Sequence, residues 1–320
     1  MPFIFDYCPR INWIGLAMLR TLLDLKMIVF DLDGVLVDID SSWQKIHETL
    51  GVNNDENFQK HLRGQIDFKE FMRSDILLWG NINITCIMNI LAKAPYMKGA
   101  KETLIALHEA GYKSAIISSG ISILADRVKN ELEIDYSFAN KLLHDPSGVL
   151  TGEGEEVVGL FNKDKILHRL VLREGITTQQ CVVLGDSQFD AALFKDAGLS
   201  IAFNAKDEVV KDAADLIIDG KDLTKILPWL VNDGESSMVE MSFNYDDEKE
   251  AEALVEAISP DNRKFSSEVI IKTVRENNMA LTRIYCIKGI ETLLATLDDI
   301  LRCSDVADEV INITKLVHKS

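Results

Sequence analysis

The 320-residue chain is poor in positive charge, in cysteine and in histidine. It has 34 lysine and arginine residues against 51 aspartate and glutamate residues, a formal net charge of −17 at pH 7. This excess argues against a nonspecific nucleic-acid surface, because such a surface attracts phosphates with clustered cations. The five cysteines contain no Cys-x-x-Cys pair, and their odd number is a poor disulfide framework. We therefore expect a protein of the reducing cytoplasm.

The chain also lacks the long uninterrupted apolar run of a membrane-spanning helix, so we expect no membrane insertion. Residues 1–26 are rich in apolar side chains, but charged residues interrupt them, and a signal-peptide cleavage site is missing. A membrane-surface anchor remains an alternative for this segment. We prefer to interpret Met27 as a candidate start and residues 1–26 as an ill-ordered or mis-assigned extension.

The most informative segment is an apolar strand that ends at two carboxylates. Residues 27–30 predict a buried strand, and Asp31, Asp33 and Gly34 follow it. Ligands of open α/β sheets bind at the carboxyl ends of the strands. Side chains at i and i+2 point in the same direction, and glycine permits a tight turn. Crowded carboxylates repel unless a cation or a shared proton relieves them, so the pattern favours a hard metal ion. A calcium loop or a structural turn remains an alternative.

Further polar groups follow apolar segments downstream: Ser118 and Ser119, Lys163, and the pair Asp186 and Asp190. A serine beside the free N–H groups of a helix start can bind phosphate, although it can also be an ordinary N-cap. The lysine can neutralise phosphate oxygens, or it can be a solvated residue at a helix start. The two aspartates can equally cap a helix. Because parallel strands present their carboxyl ends at one edge, we expect these groups to converge on one crevice.

Together these motifs resemble the four motifs of the haloacid dehalogenase superfamily of phosphatases. The resemblance covers about residues 27–230. It is closest to the phosphoserine phosphatase branch, through the segments 111–112, 135–140, 150–152, 194–198 and 201–203. It implies an α/β fold with a Rossmann-like parallel sheet. It also implies an inserted helical cap over about residues 41–95, which would close over the site and select the substrate.

The resemblance implies a mechanism for these residues. Asp31 would be the nucleophile that forms an aspartyl-phosphate, and Asp33 would protonate the leaving alcohol and later activate water. Mg²⁺ would be held by the Asp31 carboxylate, the Asp33 backbone carbonyl and Asp186. The phosphoryl oxygens would be bound by Ser118, with Ser119 beside it, and by Lys163. Asp190 would orient the lysine or a metal-bound water.

The chain departs from the phosphoserine phosphatase pattern where the substrate is recognised. The family glutamate that contacts the substrate amine aligns with Asp40. The family arginine that binds the substrate carboxylate falls near Asp75, while Arg73 lies two positions earlier. Phe189 stands where an asparagine is usual. We therefore expect a Mg²⁺-dependent hydrolase of a small phosphorylated metabolite, with phosphoserine as the first candidate. Either Arg73 substitutes as the carboxylate-binding residue, or the substrate is another small phosphoester.

A second domain follows the polar linker at residues 231–237. Residues 238–320 predict the order β-α-β-β-α, a three-stranded sheet with two helices. Segments 243–245, 250–253, 259–262 and 292–295 resemble the small Pcc-type subunit of the KEOPS complex, which makes threonylcarbamoyl-adenosine in transfer RNA. The resemblance implies an edge-strand homodimer that recruits a KEOPS kinase-type subunit. The alternative function is therefore a non-enzymatic scaffold; the acidic balance predicts no strong direct binding of nucleic acid.

Overall fold

The computed structural model describes residues 11–17, 25–231, 237–262, 268–287 and 289–317. The chain divides into two compact units, residues 24–227 and a second unit formed by residues 1–23 and 228–320. Residues 1–10 and 18–24 of the predicted N-terminal extension and residues 232–236 of the predicted linker lie outside the described residues. Within the described ranges, no helix has both the length and the apolar content needed to cross a membrane.

The described strands and helices alternate along most of the chain. The strands are β1 (Ile11–Ala17), β2 (Met27–Phe30), β3 (Lys113–Ile121), β4 (Tyr136–His144), β5 (Leu150–Glu155), β6 (Cys181–Gly185), β7 (Leu199–Phe203), β8 (Leu216–Ile218), β9 (Ser237–Asn244), β10 (Val269–Glu276) and β11 (Met279–Cys286). The helices are α1 (Ser42–Leu50), α2 (Asp55–Leu62), α3 (Phe68–Leu78), α4 (Ile84–Leu91), α5 (Ala100–Glu109), α6 (Ser122–Glu131), α7 (Lys163–Glu174), α8 (Ala191–Phe194), α9 (Glu208–Ala213), α10 (Leu227–Leu230), α11 (Glu248–Asn262) and α12 (Ile290–Val317).

The larger unit is built on a mostly parallel sheet of strand order β5-β4-β3-β2-β6-β7-β8, in which only the pair β4 and β5 is antiparallel. The predicted α/β class is therefore confirmed. Strand β2 lies in the middle, and its four side chains are fully buried, as expected for a parallel strand covered on both faces. Phe30, the last residue of β2, pairs with Ile116 of β3 and Leu184 of β6. Strands β2 and β6 therefore end within one residue of each other, and β3 continues beside them to Ile121.

Apolar side chains of the sheet and of α7 form one continuous core. Val29 and Val183 of the sheet pack with Ile166, Leu170 and Phe194 in this cluster. Each fully buried side chain of this size stabilises the fold by about 1.5–3 kcal/mol relative to an exposed one. The core therefore holds the start of α7 in a fixed position against the carboxyl ends of the strands.

The predicted helical cap is confirmed, and it consists of α1 to α4 between β2 and β3. Helix α1 ends at Gly51, whose φ of 68° is the left-handed conformation that glycine adopts readily. Helix α3 begins at Asp67, whose carboxylate accepts a hydrogen bond from the Glu70 N–H at 2.7 Å. The Trp43 and Trp79 rings stack with centroids 5.5 Å apart, which fixes the first helix of the cap against the end of the third.

The smaller unit contains the predicted β-α-β-β-α order, from β9 to α12. Its sheet has the strand order β1-β9-β11-β10, and all pairs are antiparallel. A two-residue turn at Asn277 and Asn278 joins β10 to β11, and Asn277 has a positive φ of 55°. The structure differs from the three-stranded prediction because β1 pairs with β9. This pairing joins residues more than 200 positions apart, a separation that local sequence patterns do not reveal.

Candidate active site

The ends of β2 and β6 bring acidic side chains together. Asp31 is buried, and its backbone N–H donates to the Leu184 carbonyl at 3.0 Å, which ties the end of β2 to β6. Gly34 has a φ of 82°, and a Cβ added there would overlap the Asp186 carboxylate. Only glycine therefore lets the loop after β2 approach the loop after β6 this closely.

Lys163 is the cation at the centre of the site. It is the first residue of α7 and only 2% exposed. Its Nζ lies 2.9 Å from Asp31 Oδ2 and 2.6 Å from Asp190 Oδ1. Burial by itself would lower the pKa of this amine, but attraction to Asp190 and Asp31 outweighs burial and raises it. Lys163 is therefore a permanent positive charge beside Asp31, and it is not a solvated residue at a helix start.

Asp190 holds the loop that carries Asp186. Its Oδ2 accepts hydrogen bonds from the N–H groups of Asp186 at 3.1 Å and Ser187 at 3.2 Å, while Oδ1 accepts from Lys163. Burial raises the pKa of Asp190, and the charge of Lys163 opposes this effect. The residue thus joins the lysine to the loop after β6.

The arrangement of carboxylates fits a hard divalent cation. Oxygen atoms of Asp31, Asp186 and Asp190 all lie within 4.8 Å of one another, and all three residues are buried. Burial, followed by repulsion from Asp31, raises the pKa of Asp186 to about 7, although Lys206 opposes the shift. Such crowding favours a bound cation, and carboxylate oxygens are the ligands that Mg²⁺ prefers.

Among the described residues, Asp33 has one carboxylate oxygen that accepts hydrogen bonds and one that has no hydrogen-bond partner. Its Oδ2 accepts hydrogen bonds from the Ser42 N–H at 2.7 Å and the Ser42 hydroxyl at 2.8 Å. Its Oδ1 is buried and has no hydrogen-bond partner in the described part of the chain. Burial and repulsion from Asp31 raise the pKa of Asp33 to about 6, against the opposing hydrogen bonds of Ser42. A carboxyl group with a pKa near 6 can both give and take a proton near neutral pH.

Strand β3 carries the predicted serines. The Ser118 hydroxyl is buried and accepts a hydrogen bond from the Gly120 N–H at 3.0 Å. The Ser119 hydroxyl donates to the Gly159 carbonyl at 3.0 Å. Helix α6 begins only at Ser122, after Ile121, so the alternative that Ser118 is an ordinary N-cap is wrong.

Two further residues of the candidate site, Ser42 and Lys206, are not indicated by the sequence motifs. Ser42 was missed because its position opposite Asp33 depends on the folded cap. Lys206 follows β7, and its Nζ lies 2.7 Å from Asp186 Oδ2 and 3.6 Å from Asp40 Oδ1. A lysine three residues after the strand Leu199–Phe203 was the available signal, because other strands of the sheet also deliver polar residues just after their ends.

A cavity of about 580 Å³ is lined by polar side chains at the strand ends and by the cap. Asp31, Asp33, Ser118 and Lys163 belong to its lining, together with side chains of α1 and α3. The sheet and the cap therefore enclose one chamber, which has room for a small phosphoester.

The structure does not bring Arg73 into this cavity, so its predicted role as carboxylate-binding residue needs correction. Its side chain is 56% exposed, and its Nε lies 2.7 Å from Glu153 Oε1 of β5. On α3, the cavity is lined by four residues that share one helical face: Phe68, Phe71, Met72 and Asp75. Arg73 is two positions before Asp75, which corresponds to a rotation of about 200° around the helix axis. Arg73 therefore lies on a different face of α3 from Asp75.

Asp40 and Asp75 both line the cavity. The Asp40 side chain is mostly exposed, whereas Asp75 is only 1% exposed. Asp75 Oδ1 accepts a hydrogen bond from Asn54 Nδ2 at 2.5 Å and lies 3.2 Å from His47 Nε2. The position predicted to align with a carboxylate-binding arginine thus places a buried acid at the cavity wall.

The chain is similar to known phosphatases over this larger unit. The model of the family described as haloacid dehalogenase-like hydrolase matches residues 25–198. A phosphoserine phosphatase of Methanocaldococcus jannaschii is 33% identical over 64% of this chain and 97% of that protein. One of Archaeoglobus fulgidus is 35% identical over 62% of this chain, which spans only 58% of that relative's length. A solved phospho-aspartyl intermediate analogue of phosphoserine phosphatase has 33% identity and a TM-score of 0.57, covering 64% of this chain and 99% of that one.

Proposed function

The chain belongs to the haloacid dehalogenase-like hydrolases, and from this membership we propose that it hydrolyses small phosphomonoesters through an aspartyl-phosphate intermediate. The contact between Lys163 and Asp31, 2.9 Å long inside a cavity large enough for a small ester, carries the proposal. It places a buried nucleophilic carboxylate next to a fixed cation, as phosphoryl transfer requires.

The residues of the chain divide the reaction between them. Asp31 attacks the phosphorus atom, and the bond from phosphorus to the alcohol oxygen breaks. The unpartnered Oδ1 of Asp33 gives its proton to that oxygen, so the substrate leaves as a neutral alcohol. Asp33 then takes a proton from the water that attacks the aspartyl-phosphate, which releases inorganic phosphate and restores Asp31. Lys163 and the Ser118 hydroxyl bind the phosphoryl oxygens as their charge changes.

We propose Mg²⁺ as the cofactor, because the buried carboxylate cluster offers hard oxygen ligands. The carboxylates of Asp31 and Asp186, with the backbone carbonyl of Asp33, would hold it. When bound, the ion would neutralise part of the phosphoryl charge. Asp190 is already engaged by Lys163, and its role in this proposal is to position that lysine and the Asp186 loop.

Phosphoserine is the reference substrate, because the similar phosphatases carry its name. The test is release of inorganic phosphate from phosphoserine, phosphothreonine, phosphoglycolate, sugar phosphates and 4-nitrophenyl phosphate. Turnover should require Mg²⁺, stop on chelation and be lost in Asp31→Asn. The Asp212→Asn variant, which removes an exposed carboxylate that does not line the cavity, should retain turnover. A wild-type protein that releases phosphate from none of these esters would contradict the proposal.

For the smaller unit we propose an assembly role in a cytoplasmic protein, either as a homodimer or as the binding site of a KEOPS kinase-type subunit. Support comes from the β-α-β-β-α order and from apolar residues on the surface of α12. Val306 and Ile313 are 62% and 61% exposed and lie seven residues apart, on one face of the helix. Light scattering after size-exclusion chromatography should find a dimer that Val306→Glu weakens. A monomeric full-length protein that does not bind such a subunit would refute this role.

A further inference from the structure

The lysine side chains that line the cavity in the described part of the chain lie at one of its two ends. Among the described residues that line it, the lysines are Lys163 and Lys206. Lys163 contacts Asp31, and Lys206 contacts Asp186. The lining contributed by the cap contains no lysine or arginine within the described part of the chain. It contains the carboxylates of Glu48, Asp55 and Asp75 instead. A substrate therefore meets the lysine side chains of the lining at its phosphate end and only carboxylates, without lysine or arginine, under the described part of the cap.

Asp75 is the buried member of this acidic end. Both of its contacts, from Asn54 Nδ2 and His47 Nε2, fall on Oδ1. Asn54, at the start of α2, also donates to the Ser74 hydroxyl at 2.8 Å, and its Oδ1 accepts from Asn57, so its orientation is fixed. The carboxylate is thus held in place at the cavity wall by two other segments of the cap.

The catalytic end shows where the leaving group must lie. Asp33 Oδ1 is buried, lacks a hydrogen-bond partner among the described residues and belongs to the same cavity lining. In the proposed reaction this atom protonates the oxygen of the departing alcohol. The remainder of the alcohol must then occupy the part of the cavity that is enclosed by the cap.

A carboxylate on that alcohol would be repelled there. It would meet the Asp75 carboxylate, and the described cap lining supplies no lysine or arginine to compensate. An ammonium group would instead be attracted to Asp75 and to the faces of the aromatic rings of Trp43, Phe58 and Phe71, which also line the cavity. Charge and ring composition thus favour the same kind of leaving group.

We propose that the cap end of the cavity, centred on Asp75, selects phosphomonoesters of amino alcohols, whose leaving group carries an ammonium group and no carboxylate. The inference rests on the proposed hydrolase function and names the substrate class of the same site. Asp75 is a specificity-determining residue in this scheme, while the chemistry stays with Asp31 and Asp33.

The test compares kcat/KM for O-phosphoethanolamine, O-phosphoserine and 4-nitrophenyl phosphate in the full-length protein with Mg²⁺. Wild type should prefer phosphoethanolamine to phosphoserine by at least about tenfold. Asp75→Asn should lower this preference by about tenfold, or about 1.4 kcal/mol. Turnover of 4-nitrophenyl phosphate, which carries neither an ammonium nor a carboxylate group, is the reference against which the change on each of the other two esters is measured. Glu70→Gln removes an exposed carboxylate of the same helix from outside the cavity lining and should keep the wild-type preference.

The outcomes separate the two proposals. If 4-nitrophenyl phosphate is hydrolysed but phosphoserine is preferred, or if Asp75→Asn leaves the preference unchanged, the substrate inference is wrong and the hydrolase proposal stands. If no ester is hydrolysed, the hydrolase proposal is wrong, and calorimetry on the Mg²⁺-free wild-type protein decides the inference. Tighter binding of phosphoethanolamine than of phosphoserine would support an ammonium-selective cavity, and equal or absent binding would refute it. Circular dichroism identifies an Asp75→Asn protein that fails to fold, for which the wild-type preference alone decides.

Discussion

Replacing Asp186 by asparagine should stabilise the metal-free protein, and the gain should grow as the pH rises. Burial and repulsion from Asp31 raise the pKa of Asp186 from 3.8 to about 7. Below about pH 4, the folded and the unfolded chain both hold the proton. Between about pH 4 and pH 7 only the folded protein keeps it, so the free energy of unfolding falls as the pH rises through this window.

The magnitude follows from the two pKa values. Each pH unit between them is worth about 1.4 kcal/mol, so the full difference corresponds to about 4 kcal/mol. About two of these pH units lie above pH 5, so the stability advantage of Asp186→Asn should grow by about 3 kcal/mol between pH 5 and pH 8. An amide has no proton to lose in this range, and the variant therefore avoids the cost of a buried negative charge.

The assay is urea denaturation of wild type, Asp186→Asn and the exposed control Asp212→Asn, at several pH values with a chelator present. The control should follow the wild-type profile, because its carboxylate is exposed in both states. Added Mg²⁺ should stabilise wild type most at high pH and should have little effect on Asp186→Asn. If the free energies of unfolding of wild type and Asp186→Asn change in parallel with pH, burial does not raise the pKa of Asp186, and this reasoning is refuted.

Four other substitutions test the site. Asp31→Asn should lower phosphate release at least about a thousandfold while leaving the circular dichroism spectrum unchanged. Lys163→Met should abolish turnover and destabilise the fold by about 3–5 kcal/mol in urea denaturation, because it leaves two buried carboxylates without their cation. Gly34→Ala should inactivate the enzyme, because the new methyl group would collide with the Asp186 carboxylate and the positive φ would be strained. Arg73→Ala should leave the KM for phosphoserine unchanged in steady-state assays, because its side chain points away from the cavity.

Each of these expectations has an opposing result. Phosphate release by Asp31→Asn at a rate near that of wild type would exclude the aspartyl-phosphate route. Wild-type stability of Lys163→Met would show that the buried carboxylates do not depend on this cation. An active Gly34→Ala enzyme would mean that the two loops can separate, and a raised KM in Arg73→Ala would bring this arginine back to the substrate.

The convergence of the residues proposed for catalysis was predictable from local patterns. Apolar strands of four or five residues end at Asp31 and at Asp186, and parallel strands present these ends at one edge of the sheet. Lys163 opens an amphipathic helix whose apolar face must pack on that sheet, so its position was constrained as well. The residues came together because each element had essentially one way to bury its apolar side chains.

The cap was harder to predict in detail. The rotational position of α3 places Asp75 and not Arg73 at the cavity. Contacts of α3 with α1, α2 and β5 set this position. His47 of α1 and Asn54, the N-cap residue of α2, contact Asp75 from separate segments of the cap. Such contacts depend on tertiary positions, which a pattern of hydrophobic residues leaves open.

The pairing of β1 with β9 has a practical consequence for how the protein is produced. A recombinant version that starts at Met27 would retain the whole seven-stranded sheet and its catalytic groups, but it would lack the neighbour of β9. The N–H and C=O groups along that side of β9 would then be open to pairing with other chains, which promotes aggregation. If such a shortened protein aggregates, the cause would therefore be the exposed edge of β9, while the hydrolase fold would be intact.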